Sequence, residues 1–182
     1  MINQRITDLI KTLSSSTNLD YSKLRIGFKS SQGVTFYDFK GNIDKKFEWL
    51  NNLVVPGVTT IIYAESSNSQ QIIQTENSLK AFLDDMAQLL GPALQITNKN
   101  LSDVEKALAN NSTCLFQDGG YIVTGRNDNE VGLAVILLEK ACRIKILANE
   151  LGGVKYLEPD LAQFDHQNYL EHYSHAQCEG DK

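Results

Sequence analysis

The chain has 182 residues, 42% hydrophobic and 21% charged, with 12 glycines and 3 prolines. That is long enough for one self-sufficient core, and the composition excludes disordered, collagenous and membrane-embedded classes. The 17 Lys+Arg against 22 Asp+Glu give a net charge of -5, and the basic residues are scattered, which argues against a nucleic-acid partner.

Residues 2–13 carry Ile2, Ile6, Leu9, Ile10 and Leu13 at helical spacing and predict an amphipathic helix that stops at Ser14-Ser15-Ser16. Polar residues interrupt this segment too often for a signal peptide, and no apolar run approaches the about 20 residues that cross a bilayer. After a polar linker, Leu24–Phe28 and Val34–Phe39 alternate with period two and read as strands joined at Gln32-Gly33. Phe47, Leu50 and Leu53 predict a short helix over 44–53. The β-branched run from Val58 to Ile62 reads as a buried strand ending in Tyr63-Ala64-Glu65. Tyr63 and Glu65, two positions apart, then share one face.

A helix can begin in 67–75, and Leu79, Phe82, Leu83, Met86, Leu89 and Leu90 predict one over 78–90, closed by Gly91-Pro92. A short strand over 93–96 precedes a helix from Ser102 to about Ala109, with Ser102 and Glu105 spaced as a capping box. Strands at 113–116 and 121–124 flank Gln117-Asp118-Gly119-Gly120. The strongest helix runs over 130–151 and ends at Gly152-Gly153. Cys114, Cys142 and Cys178 form neither a disulfide framework nor a CxxC pair. They fit a reducing compartment, so a cytoplasmic location is expected. This order of elements, without repeats, predicts a single α/β domain with a mixed or mostly antiparallel sheet, followed by a tail over 160–182.

Two blocks carry a family resemblance. PGVTTIIYAESSNSQQI is similar to the class II aldolase and adducin block P-D-V-x-A-V-V-H-x-H-S-x-x-A. LFQDGGYIVTGRNDNEVGLAVILLEKACRIKILANELGG is similar to the later block L-x-x-H-G-x-x-x-x-G-x-x-x-x-E-A with its long helix, and Gly119, Gly125, Glu130, Glu139 and Arg143 fall at family-like spacing. The resemblance spans roughly residues 44–153. It implies a three-layer αβα fold with a mixed, largely antiparallel central sheet, and a ring-like homotetramer.

At the chemistry the chain departs from the family. Tyr63-Ala64-Glu65 stands where the family has its metal-binding H-x-H pair, and Asp118 stands where the third histidine precedes the glycine. In the family, a zinc-type ion on those histidines acts as a Lewis acid for carbon-carbon bond cleavage. Tyr63, Glu65 and Asp118 offer oxygen instead, which suits magnesium or calcium better than zinc, and at low affinity. Asp44 falls at the family's acid/base glutamate position, and the G-N-x-S and T-P-S-G phosphate loops are absent.

The bland account of Tyr63, Glu65 and Asp118 is a polar pocket satisfied by mutual hydrogen bonds and water. The sharper one is a hard-metal or cationic-ligand site. His166, His172 and His175 suggest a metal cluster, yet offsets of six and three scatter them around a helix, and a solvated tail explains them with less. Gly119-Gly120 reads as a strand-connecting turn before an anion cradle, and Cys142 as packing before nucleophile. The expected function is therefore a non-catalytic class II aldolase/adducin-like protein with a degenerate metal site, serving assembly or binding. No cofactor is expected, and any divalent metal would bind weakly. The alternative is a metal-dependent lyase acting on a small sugar-phosphate-like substrate through a rebuilt oxygen-ligand site.

Overall fold

The computed structural model describes residues 2–14 and 19–173. Helix α1 (Ile2–Ser14) buries Ile6, Leu9 and Leu13, as the helical spacing requires. Strands β1 (Arg25–Ser30) and β2 (Gly33–Asp38) form an antiparallel hairpin in which Ser30 pairs with Gly33. Gly33 there has φ 110°, a left-handed conformation that favours glycine. A 3-10 turn (Lys45–Leu50) takes the place of the helix expected over 44–53, capped by Asp44 accepting from the Lys46 N–H.

Strand β3 (Thr60–Glu65) follows, and Ser66 caps helix α2 (Ser67–Thr75) in a reciprocal capping box with Ser69. Then come β4 (Ser78–Lys80), α3 (Asp84–Leu90), β5 (Ala93–Thr97), α4 (Leu101–Leu108), β6 (Thr113–Phe116) and β7 (Gly120–Gly125). The long helix α5 (Asp128–Glu150), α6 (Pro159–Asn168) and a π-helical turn (Tyr169–Tyr173) complete the described chain.

The seven strands lie in the order β2-β1-β3-β7-β6-β5-β4. Only the β5–β6 pair is parallel; the other five are antiparallel. One face of the sheet packs α1, α2, α3, α5 and α6 around Ile26, Ile62, Leu115, Tyr121 and Val123. The other packs the 3-10 turn and α4 around Phe36, Ile61, Tyr63, Phe116 and Ile122. This is the open, three-layer αβα arrangement with a mixed, largely antiparallel sheet that the resemblance implied.

Three local expectations are corrected. The helix expected over 78–90 divides into β4 and α3. Leu79 is buried against β5 opposite Leu94, and the ladder continues as Ala81 N–H donates to Pro92 O, so sheet pairing overrides helical spacing there. The cap of α4 is Asn100, whose side chain accepts from the Asp103 N–H at 3.0 Å, and not Ser102. The segment expected as a solvated tail from residue 160 begins in α6, which packs on α3 and buries Ala162 and His166.

His166 donates from Nδ1 to Gln88 O at 2.8 Å, whereas His172 is exposed and His175 lies outside the described residues. His166 and His172 therefore do not form the metal cluster that the three histidines suggest in sequence, the alternative to a solvated tail. Burial holds the His166 pKa below the ordinary 6.5. On acidification the unfolded chain takes this proton first, so stability is full above about pH 6.5 and falls as pH drops toward the folded-state pKa. Urea titrations over that range will show the loss in the native protein, and a His166→Gln variant will lack this component.

A buried carboxylate ties the helical layer to the sheet. Glu139 of α5 accepts from the Tyr121 hydroxyl at 2.9 Å and from Asn68 Nδ2 at 3.1 Å. With Tyr121 fully buried and Glu139 nearly so, removing one donor leaves a carboxylate oxygen short of a partner. Tyr121→Phe will therefore lower stability by about 1–3 kcal/mol in urea unfolding, whereas Tyr37→Phe, on a partly exposed strand position, will cost less than half of that.

Candidate functional site

Antiparallel pairing of β3 with β7 sets Glu65 opposite Gly120 and Tyr63 opposite Ile122. The turn carrying Asp118 is thereby delivered to the end of β3. Tyr63 lies in the second apolar cluster, its ring 4.8 Å from Phe47 and 6.1 Å from Phe116. Its hydroxyl donates to Glu65 Oε1 at 2.6 Å, so the shared face bonds the two side chains directly. Gly119 has φ 102°, and a Cβ on Gly120 would lie 2.6 Å from the Tyr63 hydroxyl. The glycine pair thus serves both the turn and the close approach of the phenol.

Two lysines complete the group. Lys99, from the loop between β5 and α4, donates from Nζ to the Tyr63 hydroxyl at 2.7 Å and pairs with Asp118 Oδ2 at 2.6 Å. The same ammonium sits 4.7 Å from the Tyr63 ring centroid. Lys23, from the segment preceding β1, pairs with Glu65 Oε2 at 2.5 Å. The result is one continuous chain: Lys23, Glu65, Tyr63, Lys99, Asp118. Burial, reinforced by the hydrogen bond to Glu65 and its charge, drives the Tyr63 pKa above its ordinary value and keeps the phenol protonated. Glu65 in turn holds the Lys23 pKa above its ordinary value through their hydrogen bond.

Asp44 is placed differently. Arg25 Nε donates to its Oδ2 at 2.5 Å, and that hydrogen bond holds the Asp44 carboxyl below the usual carboxylate range. Such an anion is a weak proton acceptor at neutral pH. Arg25 is also committed to Ser22 O and Leu24 O, each at 2.8 Å.

These side chains rim a cavity of about 320 Å³ lined by Lys23, Arg25, Lys46, Phe47, Trp49 and Lys99, together with Ser22, Tyr63 and Glu65. A second cavity of about 320 Å³ opens at the opposite ends of β3 and β7, beside Val58, Gly125 and His166. Several of its polar groups are tied internally: Asn111 bonds Ala107 O and the Ala93 N–H, and Glu130 accepts from Tyr169. A larger one of about 580 Å³, beside β5 and α4, is an open groove. The concentration of paired charges favours the first cavity as the candidate site.

The fold of this chain is that of the class II aldolases. The chain superposes on an L-fuculose 1-phosphate aldolase with a TM-score of 0.76 at 14% identity, covering 93% of this chain and 96% of that one. An L-fuculose-1-phosphate aldolase of Thermus thermophilus matches with a TM-score of 0.69 at 10% identity, covering 85% and 98%. An aldolase II superfamily protein of Pseudomonas syringae gives 0.58 at 12%, covering 98% and 88%. No protein-family model and no curated protein matches the sequence.

Tyr63 and Glu65 line the cavity; Asp118 joins them through Lys99 from outside the lining, and Asp44 sits behind Arg25, also outside it. Sequence reading missed Lys23, Arg25, Lys46 and Lys99. Lys23 and Lys99 lie in polar loop stretches whose composition gives no sign of a site, and only the sheet order carries them to β3. The Tyr63–Gly120 contact gives a direct check. Gly120→Ala will force the phenol aside and lower stability by about 1–3 kcal/mol in thermal unfolding. Gly132→Ala, on α5 with its nearest neighbour at an ordinary 3.5 Å, will not lower it, because alanine favours a helix over glycine.

Proposed function

We propose that this protein is a single-domain, non-catalytic member of the class II aldolase/adducin type, whose metal site has degenerated and whose pocket serves binding or assembly. The observation behind this reading is the Lys99 ammonium between the Tyr63 hydroxyl and Asp118, joined by Lys23 on Glu65. Every oxygen-bearing side chain at the three former histidine positions already has a cationic or hydrogen-bond partner within the chain.

This donor set does not fit a resident divalent ion. A metal would have to displace two ammonium groups at hydrogen-bonding distance, and the ordinary ligands for such an ion are two or more free carboxylates. Tyr63, held protonated, is also a poor ligand. Among the described residues, no group of three His, Cys, Asp or Glu side chains is arranged to hold a metal. The Asp44 position, paired with Arg25, lacks the freedom that an acid/base role asks for.

Elemental analysis of protein purified without chelator, followed by calorimetric titration with zinc, manganese and magnesium, tests the reading. The expected outcome is no stoichiometric metal and no saturable heat. A Lys23→Met, Lys99→Met double variant will acquire measurable affinity for magnesium or manganese, because it frees Glu65 and Asp118. Stoichiometric metal in the native protein, lost in both Glu65→Ala and Asp118→Ala, would overturn the proposal in favour of a metal-dependent lyase on a small sugar-phosphate-like substrate.

The assembly half of the proposal is a homotetramer, which multi-angle light scattering checks directly; a monomeric mass would remove it. Exposed Leu147, Leu151, Leu161 and Phe164 on or beside α5 and α6 supply apolar surface for such contacts. The buried, free thiols of Cys114 and Cys142 suit a cytoplasmic location, and no described helix is long and apolar enough to cross a membrane.

A further inference from the structure

The cavity at the end of β3 has a charge balance opposite to that of the chain. In a protein of net charge -5, Lys23, Arg25, Lys46 and Lys99 line it with Glu65 as the only carboxylate of the lining. Their commitments differ. Arg25 is spent on Asp44 and two carbonyls, and Lys23 on Glu65, whose side chain is 18% exposed. Lys46 is exposed, and its backbone N–H is bonded to Asp44 while its ammonium group makes no ion pair among the described residues. Lys99 is paired with Asp118, whose side chain is 56% exposed and stands on a turn at the rim.

An ion pair to so exposed a partner is weak, because water screens it. Asp118 can therefore swing into water at little cost and leave the Lys99 ammonium without its carboxylate at a cavity that Lys46 also lines. Tyr63 stays in place during this exchange, because its hydroxyl still donates to Glu65 and its ring is fixed by Phe47 and Phe116. Two lysines and the aromatic side chains of Phe47 and Trp49 in one cavity lining form a site that attracts negative charge and partly strips its water.

From this we infer that the cavity binds the oxyanion group of a small organic ligand, a phosphate ester or a carboxylate, with Lys99 and Lys46 as its direct partners and no metal ion. The lysines act as point charges with rotatable donors, so they accept either oxyanion. The ligand's body lies against Phe47 and Trp49, and a volume of about 320 Å³ limits it to a few carbon atoms beyond the anionic group. Asp118 then works as an internal competitor that closes the site when it is empty. This inference rests on the proposal that the pocket's cations are its own lysines in place of a metal.

Trp49 is the only tryptophan in the chain, so its emission reports this cavity. Metal-free protein, prepared by exhaustive chelation, is titrated with inorganic phosphate, methyl phosphate and malonate at low ionic strength, with chloride at matched ionic strength as the blank. Saturable changes in Trp49 emission are expected with at least one of the three probes, and comparison of phosphate with malonate assigns the oxyanion class. The apparent Kd should rise at least tenfold in Lys99→Met and in Lys46→Met. It should fall in Asp118→Asn, which removes the competitor, and stay unchanged in Lys140→Met, on the opposite face. Because the Lys46 side chain is exposed and outside the ion-pair chain, Lys46→Met leaves the fold intact and keeps the test decisive if Lys99→Met proves unstable. Saturation that Lys46→Met leaves untouched, or no saturation with any probe in metal-free protein that still binds no metal, overturns the inference while the metal-free reading stands. Saturation that appears only after zinc, manganese or magnesium is restored overturns both.

Discussion

The register between β3 and β7 is the constraint from which the rest of the molecule follows. Consecutive pairs from Thr60 with Gly125 to Glu65 with Gly120 lock two central strands that are far apart in sequence. A slip of one residue would turn Tyr63 and Glu65 from the α4 face to the α5 face and leave their polar atoms among the apolar side chains of the larger core. The correct register brings the Asp118 turn to the end of β3, and it places Gly120 where the Tyr63 phenol needs room. It also sets the opposite end of the pair, where Arg5 reaches Asp128 at 2.6 Å and Thr60 donates to the same carboxylate at 2.7 Å.

Charge is distributed along that frame with little left over. The helical layer holds the deeply placed carboxylate of Glu139 by two neutral donors, Tyr121 and Asn68. The opposite layer holds its carboxylates by cations: Asp44 with Arg25, Glu65 with Lys23, Asp118 with Lys99. The difference matters chemically. A carboxylate with neutral donors inside a packed core is a structural anchor, whereas carboxylate–lysine pairs at a cavity rim can exchange partners, since part of each pair faces water. Lys99 is the pivot, because its one ammonium group serves the phenol, the carboxylate and the aromatic face together.

How much was legible in the chain itself can be followed residue by residue. The α1 spacing, the alternation of β1 and β2, the buried run of β3 and the long α5 are local patterns, and each formed where its period placed it. The misreading at 78–90 arose because a three-residue edge strand and a seven-residue helix, end to end, mimic one helical period. Ser102 looked like a cap because two acceptable caps stood two residues apart, and backbone geometry chose Asn100. Of the site, Tyr63, Glu65 and Asp118 could be found from the two blocks and the two-residue strand period. Lys23 and Lys99 could not, since neither lies in a patterned segment.

The sequence by itself determined the class of elements, their order and the presence of oxygen-bearing side chains at positions 63, 65 and 118, because these depend on side-chain identity and short-range periodicity. Tertiary structure alone decided which partners these side chains take. The partners of Glu65 and Asp118 come from residues 42 positions away for Lys23 and 19 for Lys99, and only the strand order β1-β3-β7-β6-β5 folds those loops onto one rim. A hydrogen bond forms over about 3 Å whatever the separation along the chain, so its partners are set by the fold and are invisible to any local pattern.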